Sequence, residues 1–302
     1  MSQALSTIGE FGLIDLLKKK IKISRRVIQG IGDDTAVVSF DSQKYLLLTT
    51  DMLTEGVHFT KKMPAFWIGH KALACNLSDI AAMGGWPRYA LVSLGIPASL
   101  SVDFVKDLYI GMEKLARKFG VSIVGGDTNK SGKIVINVAL AGEVKKKDLV
   151  LRQGAREGDQ IFVTGALGRS FKSGRHLKFM PRLLEARYLV ENFKLTSMID
   201  ISDGLAADLG HILEASSVGA RLWENQIPRR AKAALPDALY DGEDFELIFT
   251  LPRAEADRLF KSKNSKFLFY PIGEIVSFQE GLKLITKQGK IVSLKKKGFA
   301  HF

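Results

Sequence analysis

The residues of this 302-residue chain that could do chemistry are carboxylates, and they recur where apolar runs end beside glycine or a hydroxyl. Gly30-Ile31-Gly32-Asp33-Asp34 is a glycine-spaced turn carrying two acids. Tyr45 to Leu48 is an apolar run closed by Thr49, Thr50 and Asp51. Ile123-Val124-Gly125-Gly126-Asp127-Thr128 repeats the design, its glycines leaving room for a close approach to the backbone. Met198-Ile199-Asp200-Ile201-Ser202-Asp203-Gly204 repeats it again. Asp241-Gly242-Glu243-Asp244 adds an acidic turn, and Asn76-Leu77-Ser78-Asp79 sets Asp79 beside the apolar face of an alanine-rich segment. Taken singly, such aspartates are turn residues or helix caps, and Asp203 ahead of Gly204-Leu205-Ala206 reads as an N-cap. The set implies more. Two carboxylates about 5 Å apart at an effective dielectric of about 20 repel by about 3 kcal/mol, so several in one pocket require cations. Carboxylates with Thr49, Thr50 and Ser202 are an all-oxygen donor set, which selects a hard cation, Mg²⁺ where phosphate is the other ligand.

The usual nucleotide cradles are missing. No G-x-x-x-x-G-K-[ST] occurs, Gly126 to Lys133 having one residue too many and Ile134 where a hydroxyl belongs, and the protein-kinase signatures are absent. A bound nucleotide would be held chiefly through metal ions, with Arg152 and Lys71 as candidate direct contacts. One cysteine, Cys75, excludes an internal disulfide, and with five histidines a Cys/His zinc site is hard to build. The net charge is +12. Its lysine runs (18–20, 145–147, 295–297) are far apart and not interleaved with aromatics, so they read as solvated faces rather than a nucleic-acid surface. With no apolar window of about 18 residues and no secretion signal at the N-terminus, the expectation is a reduced, cytoplasmic protein that neither spans a membrane nor binds nucleic acid.

The elements that must position these residues follow from periodicity. Val102, Val105, Leu108, Met112, Leu115 and Phe119 recur at helical spacing before Gly120, and Ile134, Ile136, Val138 and Leu140 alternate as in a half-buried strand. Further helices are expected at 10–20, 66–83, 182–193 and 203–216, and strands at 45–50, 88–96, 121–124, 160–164, 197–201 and 246–250. Strands and helices mix without a strict βαβ cadence, which points to an α+β chain with a domain boundary near 146–150.

In chain order, Gly9-Glu10-Phe11, GIGDD (30–34), TTDMLTEGVHF (49–59), HKALACNLSDIAAMG (70–84), VGGDT (124–128), LRQGAREGD (151–159), VTGALG (163–168), IDISDGLAADLGHI (199–212), GEDFEL (242–247) and GFAHF (298–302) resemble the thiamine-monophosphate kinase family. That family belongs to a superfamily with aminoimidazole-ribonucleotide synthetase and selenophosphate synthetase. The resemblance implies two α/β domains. The first, 1–147, would bind metal and ATP and pair with a second copy into a β-barrel, giving a homodimer; the second, 148–302, would cover the nucleotide cleft. The implied reaction converts ATP and thiamine monophosphate into ADP and thiamine diphosphate. Carried over by position, Mg²⁺ falls to Asp34, Thr49, Thr50, Asp51, Asp79, Asp127, Asp200 and Asp203. ATP falls to Gly126, Asp127, Arg152 and Ser202, and thiamine monophosphate to His58, Glu243 and Phe299.

No enzyme nucleophile or base is expected. A phosphate monoester has its second pKa near about 6 and is already mostly anionic, so positioning and electrostatics suffice. The chain departs from the family at Tyr240 and Asp241, at Ala300, and in a shortened stretch from Ser170 to Pro181. Two other readings are another ATP-dependent synthetase of the same superfamily and a non-catalytic basic nucleotide- or nucleic-acid-binding protein. The second leaves the strand-end carboxylates unexplained.

Overall fold

The computed structural model describes residues 5–262 and 266–299. Ala300, His301 and Phe302 of the closing motif lie outside the described residues. The first half comprises α1 (Leu5–Lys20), β1 (Val27–Gln29), β2 (Ala36–Ser39), β3 (Lys44–Thr54), α2 (Ala65–Ala82), β4 (Trp86–Ile96), α3 (Val102–Phe119), β5 (Ser122–Lys130) and β6 (Val135–Lys145). Its six strands form one sheet in the order β1-β2-β3-β6-β4-β5, antiparallel except for β4 with β5. Alternation decides the faces. Leu47, Leu53, Ile136, Val138 and Leu140 are buried on the side that α2 covers, whereas Leu48, Met52, Tyr89, Leu91 and Val124 are exposed.

The second half comprises β7 (Gln160–Val163), α4 (Ser170–Ser173), α5 (Leu183–Asn192), β8 (Ser197–Asp200), α6 (Leu205–Ser216), β9 (Gly219–Trp223), α7 (Leu235–Tyr240), β10 (Leu247–Leu251), α8 (Arg253–Lys261), β11 (Tyr270–Val276), β12 (Leu282–Ile285) and β13 (Ile291–Ser293). Its seven-stranded sheet runs β13-β12-β9-β11-β7-β10-β8, with β9 and β12 parallel and the other pairs antiparallel. Both halves are therefore mixed-sheet α/β units, as the irregular cadence of the sequence predicts.

Helix α2 joins the halves. Residues 68–78 are all buried, because α2 packs on β3 and β6 of its own sheet and on β8 and α5 of the other. Such a position demands a helix that is mostly apolar all round, and α2 departs from that only at His70, Lys71, Asn76, Ser78 and Asp79. It crosses α3 at close range: a Cβ on Gly69 would meet the Leu108 carbonyl oxygen at 1.9 Å, and one on Gly111 the Phe66 carbonyl oxygen at 1.8 Å. The start of α3 is fixed by Ser101, whose Oγ accepts the Phe104 N–H at 3.2 Å, and its end by Gly120 in the left-handed conformation.

The expectation for Asp203 is corrected. The N-cap of α6 is Gly204, and the Asp208 carboxylate in the first turn accepts the N–H groups of Asp203 and Gly204 at 3.0 Å each. Asp203 itself lines a cavity at the site, and one of its carboxylate oxygens lies within 4.8 Å of ligand atoms of Asp208 and His211.

Candidate active site

The polar residues of α2 meet the end of β8 and the loop before β2 at the junction of the halves. Asp34, Asp79 and Asp200 each present a carboxylate oxygen there, and the three oxygens lie within 4.8 Å of one another. Each has a local anchor. Thr49 Oγ donates to Asp79 at 2.5 Å, Ser78 Oγ to Asp200 at 2.6 Å, and the Arg152 guanidinium to Asp34 at 2.7 Å. Asp34 Oδ2 remains buried with no hydrogen-bond partner. Burial is the largest cause raising the pKa of all three groups, reinforced at Asp79 by Asp51 and Asp200 and at Asp200 by Asp34, while Arg152 pulls Asp34 and Asp200 back. Burial and the Glu243 charge push Asp51 up to about 6, and burial with Asp34 pushes Asp33 up to about 7. Buried carboxyls crowded this closely, one with an oxygen lacking any donor, fit a hard divalent cation among all-oxygen ligands.

Beside the cluster lies a cavity of about 600 Å³. Thr50, Asp51, His58, Asp79, Ser202, Asp203, Glu243 and Phe299 line it, so residues expected on the metal, nucleotide and thiamine sides share one space. Its far wall combines three devices. His58 Nδ1 accepts the Thr54 N–H at 3.0 Å, which leaves the ring proton on Nε2. Lys71, fully buried on α2, reaches across the domain junction to Glu243 at 2.5 Å and donates to the His58 carbonyl at 3.2 Å. The Phe299 N–H donates to the Asp203 carbonyl at 3.0 Å, and its ring, half exposed, borders the opening. Glu243 (φ 69°) and Phe245 (φ 48°) both hold left-handed backbone conformations although neither is glycine, a strain of about 1–3 kcal/mol each that needs support from the surroundings.

Gly126 and Asp127 stand apart. They lie on edge strand β5, with β4 and β6 between them and β3, about 14 Å away by strand spacing. By register Asp127 shares the exposed face with Ser93, Asn137 and Met52, whereas Asp51 aligns with Val138, Val92 and Gly126 on the covered face. The approach that Gly126 permits is internal, since a Cβ there would meet the Val92 carbonyl oxygen at 1.7 Å. Sequence reasoning passed over Ser78 as a positioning group, Asp33, whose carboxylate accepts the Arg152 backbone N–H at 3.2 Å, and Glu10, which lines the cavity from α1. The NLSD and GIGDD segments carry the signal for the first two. For Glu10 the signal is the Gly9-Glu10-Phe11 motif.

Two mixed-sheet domains with a carboxylate cluster at their junction define an AIR synthase related protein. The chain matches the model of the AIR synthase related protein N-terminal domain over residues 32–144 and that of the C-terminal domain over 150–283. Thiamine-monophosphate kinase of Aquifex aeolicus (strain VF5) is 37% identical, covering 99% of each chain, and that of Bacillus subtilis (strain 168) is 34% identical, covering 98% of this chain and 100% of its own. The solved structure of AaThiL complexed with AMPPCP and TMP superposes with a TM-score of 0.87 at 35% identity, covering 100% of both chains. The chain belongs to the thiamine-monophosphate kinase family.

Proposed function

We propose that this protein transfers the γ-phosphoryl group of ATP to thiamine monophosphate, giving ADP and thiamine diphosphate. One observation carries the reading: Asp34, Asp79 and Asp200, from separate parts of the chain, converge beside a cavity that His58, Glu243 and Phe299 also line. Asp34, Thr49, Asp51, Asp79, Asp200 and Asp203 are the residues to hold Mg²⁺, which supplies charge neutralisation for two facing phosphate groups. Thr50, whose hydroxyl donates to Asn137 at 3.1 Å on the exposed face of the sheet, would have to turn or use its backbone to join them. Ser202 and Arg152 serve the nucleotide. Arg152, tied to Asp34, keeps its guanidinium charged next to the carboxylates.

On the acceptor side, His58 offers an Nε2–H to the phosphate, Glu243 a carboxylate to the cationic or amine-bearing part of thiamine, and Phe299 a ring face for stacking. The acceptor oxygen is already an anion at neutral pH, so transfer is direct and forms no phosphoenzyme. The residues orient the two phosphate groups for in-line transfer.

The same reading makes the protein a homodimer through the exposed face of the first sheet, where Leu48, Met52, Tyr89, Leu91 and Val124 leave apolar area that a second copy would cover. Gly126 and Asp127, on the edge of that sheet, then belong to the nucleotide and metal site only once the barrel is closed. The test is ATP consumption in the presence of Mg²⁺, with and without thiamine monophosphate, with products identified by mass. Thiamine diphosphate formed one for one with ADP is the expected result. ATP hydrolysis indifferent to thiamine monophosphate, or a labelled protein, would refute it.

A further inference from the structure

Alternate residues of the Gly242–Leu247 segment face opposite ways. Glu243 and Phe245 line the cavity, while Asp244 and Glu246 are completely buried on the other side. Three guanidiniums meet them there. Arg230 donates to Asp244 Oδ1 at 2.9 Å and lies 3.4 Å from Glu246 Oε1. Arg182 grips both oxygens of Glu246 at 2.6 and 2.8 Å. Arg175 donates to Glu246 Oε1 and to the Asp244 backbone carbonyl, each at 2.6 Å. Ser170 Oγ and the Gly168 N–H take the Asp244 carboxylate at 2.5 and 2.7 Å, and Thr164 Oγ takes Glu246 at 2.9 Å. Glu185 accepts the remaining Arg182 nitrogen at 2.8 Å, so three cations face three anions and the cluster has no excess charge with which to bind an anion.

We propose that Arg175, Arg182 and Arg230 are positioning residues for the substrate side of the cavity: by anchoring Asp244 and Glu246 they hold Glu243 and Phe245 in the left-handed conformation in which both line it. Side chains without special support leave that conformation, and rotation at either residue would turn Glu243 away from Lys71 and Phe245 away from Phe179, whose ring stacks on it at 4.1 Å. The segment is pinned from the cluster side as well. The Glu243 and Phe245 N–H groups donate to the carbonyls of Ser202 and Ile201 at 2.7 Å each, so a shift in Glu243 is felt beside Asp200. Bidentate and forked contacts to arginine supply the directional hold that such a backbone needs.

The inference rests on the reading of Glu243 as a thiamine monophosphate contact, and the experiment separates the two. KM for each substrate is measured for Asp244→Asn, Arg230→Lys and Glu243→Gln, with far-UV circular dichroism to confirm folding. Asp244→Asn should raise KM for thiamine monophosphate about tenfold, the equivalent of about 1.4 kcal/mol, with KM for ATP changed by less than about twofold. Arg230→Lys keeps the charge but loses the fork, so it should give the same split at about threefold and decides the matter if Asp244→Asn does not fold. A rise in Glu243→Gln without one in the network variants, or a rise shared equally by ATP, overturns the positioning role alone. No rise in Glu243→Gln overturns the reading of Glu243, and the inference with it.

Discussion

Asp79 lies in the last turn of α2 with Asp51, Asp34 and Asp200 around it, and burial together with those charges lifts its pKa well above the ordinary carboxylate range. A carboxyl whose pKa is higher in the folded than in the unfolded state binds the extra proton when folded. Without divalent cations the stability it contributes is therefore present at low pH and lost as pH rises from about 4 through the raised value. Asp79→Asn removes that loss. In chelator, its thermal midpoint should exceed that of the parent near about pH 8 and approach it near about pH 4.5, while turnover falls at least about a hundredfold. Equal midpoints at the higher pH or near-normal turnover would contradict the assignment. Residue types and settings made Asp34, Asp79 and Asp200 legible in the sequence. Their anchors were less so: Ser78 meets Asp200 across 122 positions of chain, and the arginines that seize Asp244 and Glu246 come from three separate segments without any local motif.

At the scale of elements, periodicity served where a strand or helix has one consistent environment. Helix α3, with its cap, its apolar stripe and its terminal glycine, and strand β6, alternating over its whole length, stand where the pattern predicts. Short strands with irregular surroundings did not announce themselves. β11 contains Pro271 and a register shift before Gly273, β13 is exposed at every residue, and β1 and β2 have three and four residues. β5 runs on to Lys130, past the 121–124 expected, because Gly125 and Gly126 continue the strand against β4 instead of turning. The glycines of the α2–α3 crossing were equally silent, since their requirement exists only when both helices are packed. Gly69→Ala should force α3 outward and destabilise the protein by about 1–3 kcal/mol, read as a lowered urea midpoint. An unchanged midpoint would mean that the crossing can relax.

Over the whole molecule, one apolar core runs from Val37 and Leu47 through α2 to Met198 and Phe249, so the junction holding the carboxylates is continuous with the interior of both halves. The opposite surface of the first sheet is where the fold remains open. The proposed dimer has a direct check: Leu91→Glu, at the middle of that face, should make the protein a monomer in sedimentation equilibrium where the parent is a dimer, and reduce turnover with it, because the proposed barrel would bring Gly126 and Asp127 to the site. A monomeric parent protein would contradict the dimer. The resemblance in the sequence reached the two-domain architecture through motifs that the fold gathers from distant positions, and composition alone would not have reached it. The most direct test of the central claim is an anomalous difference map from crystals grown with Mn²⁺, a non-hydrolysable ATP analogue and thiamine monophosphate. Peaks among Asp34, Asp51, Asp79, Asp200 and Asp203, between the nucleotide and the acceptor phosphate, are expected; both substrates bound with no metal density at those carboxylates would contradict it.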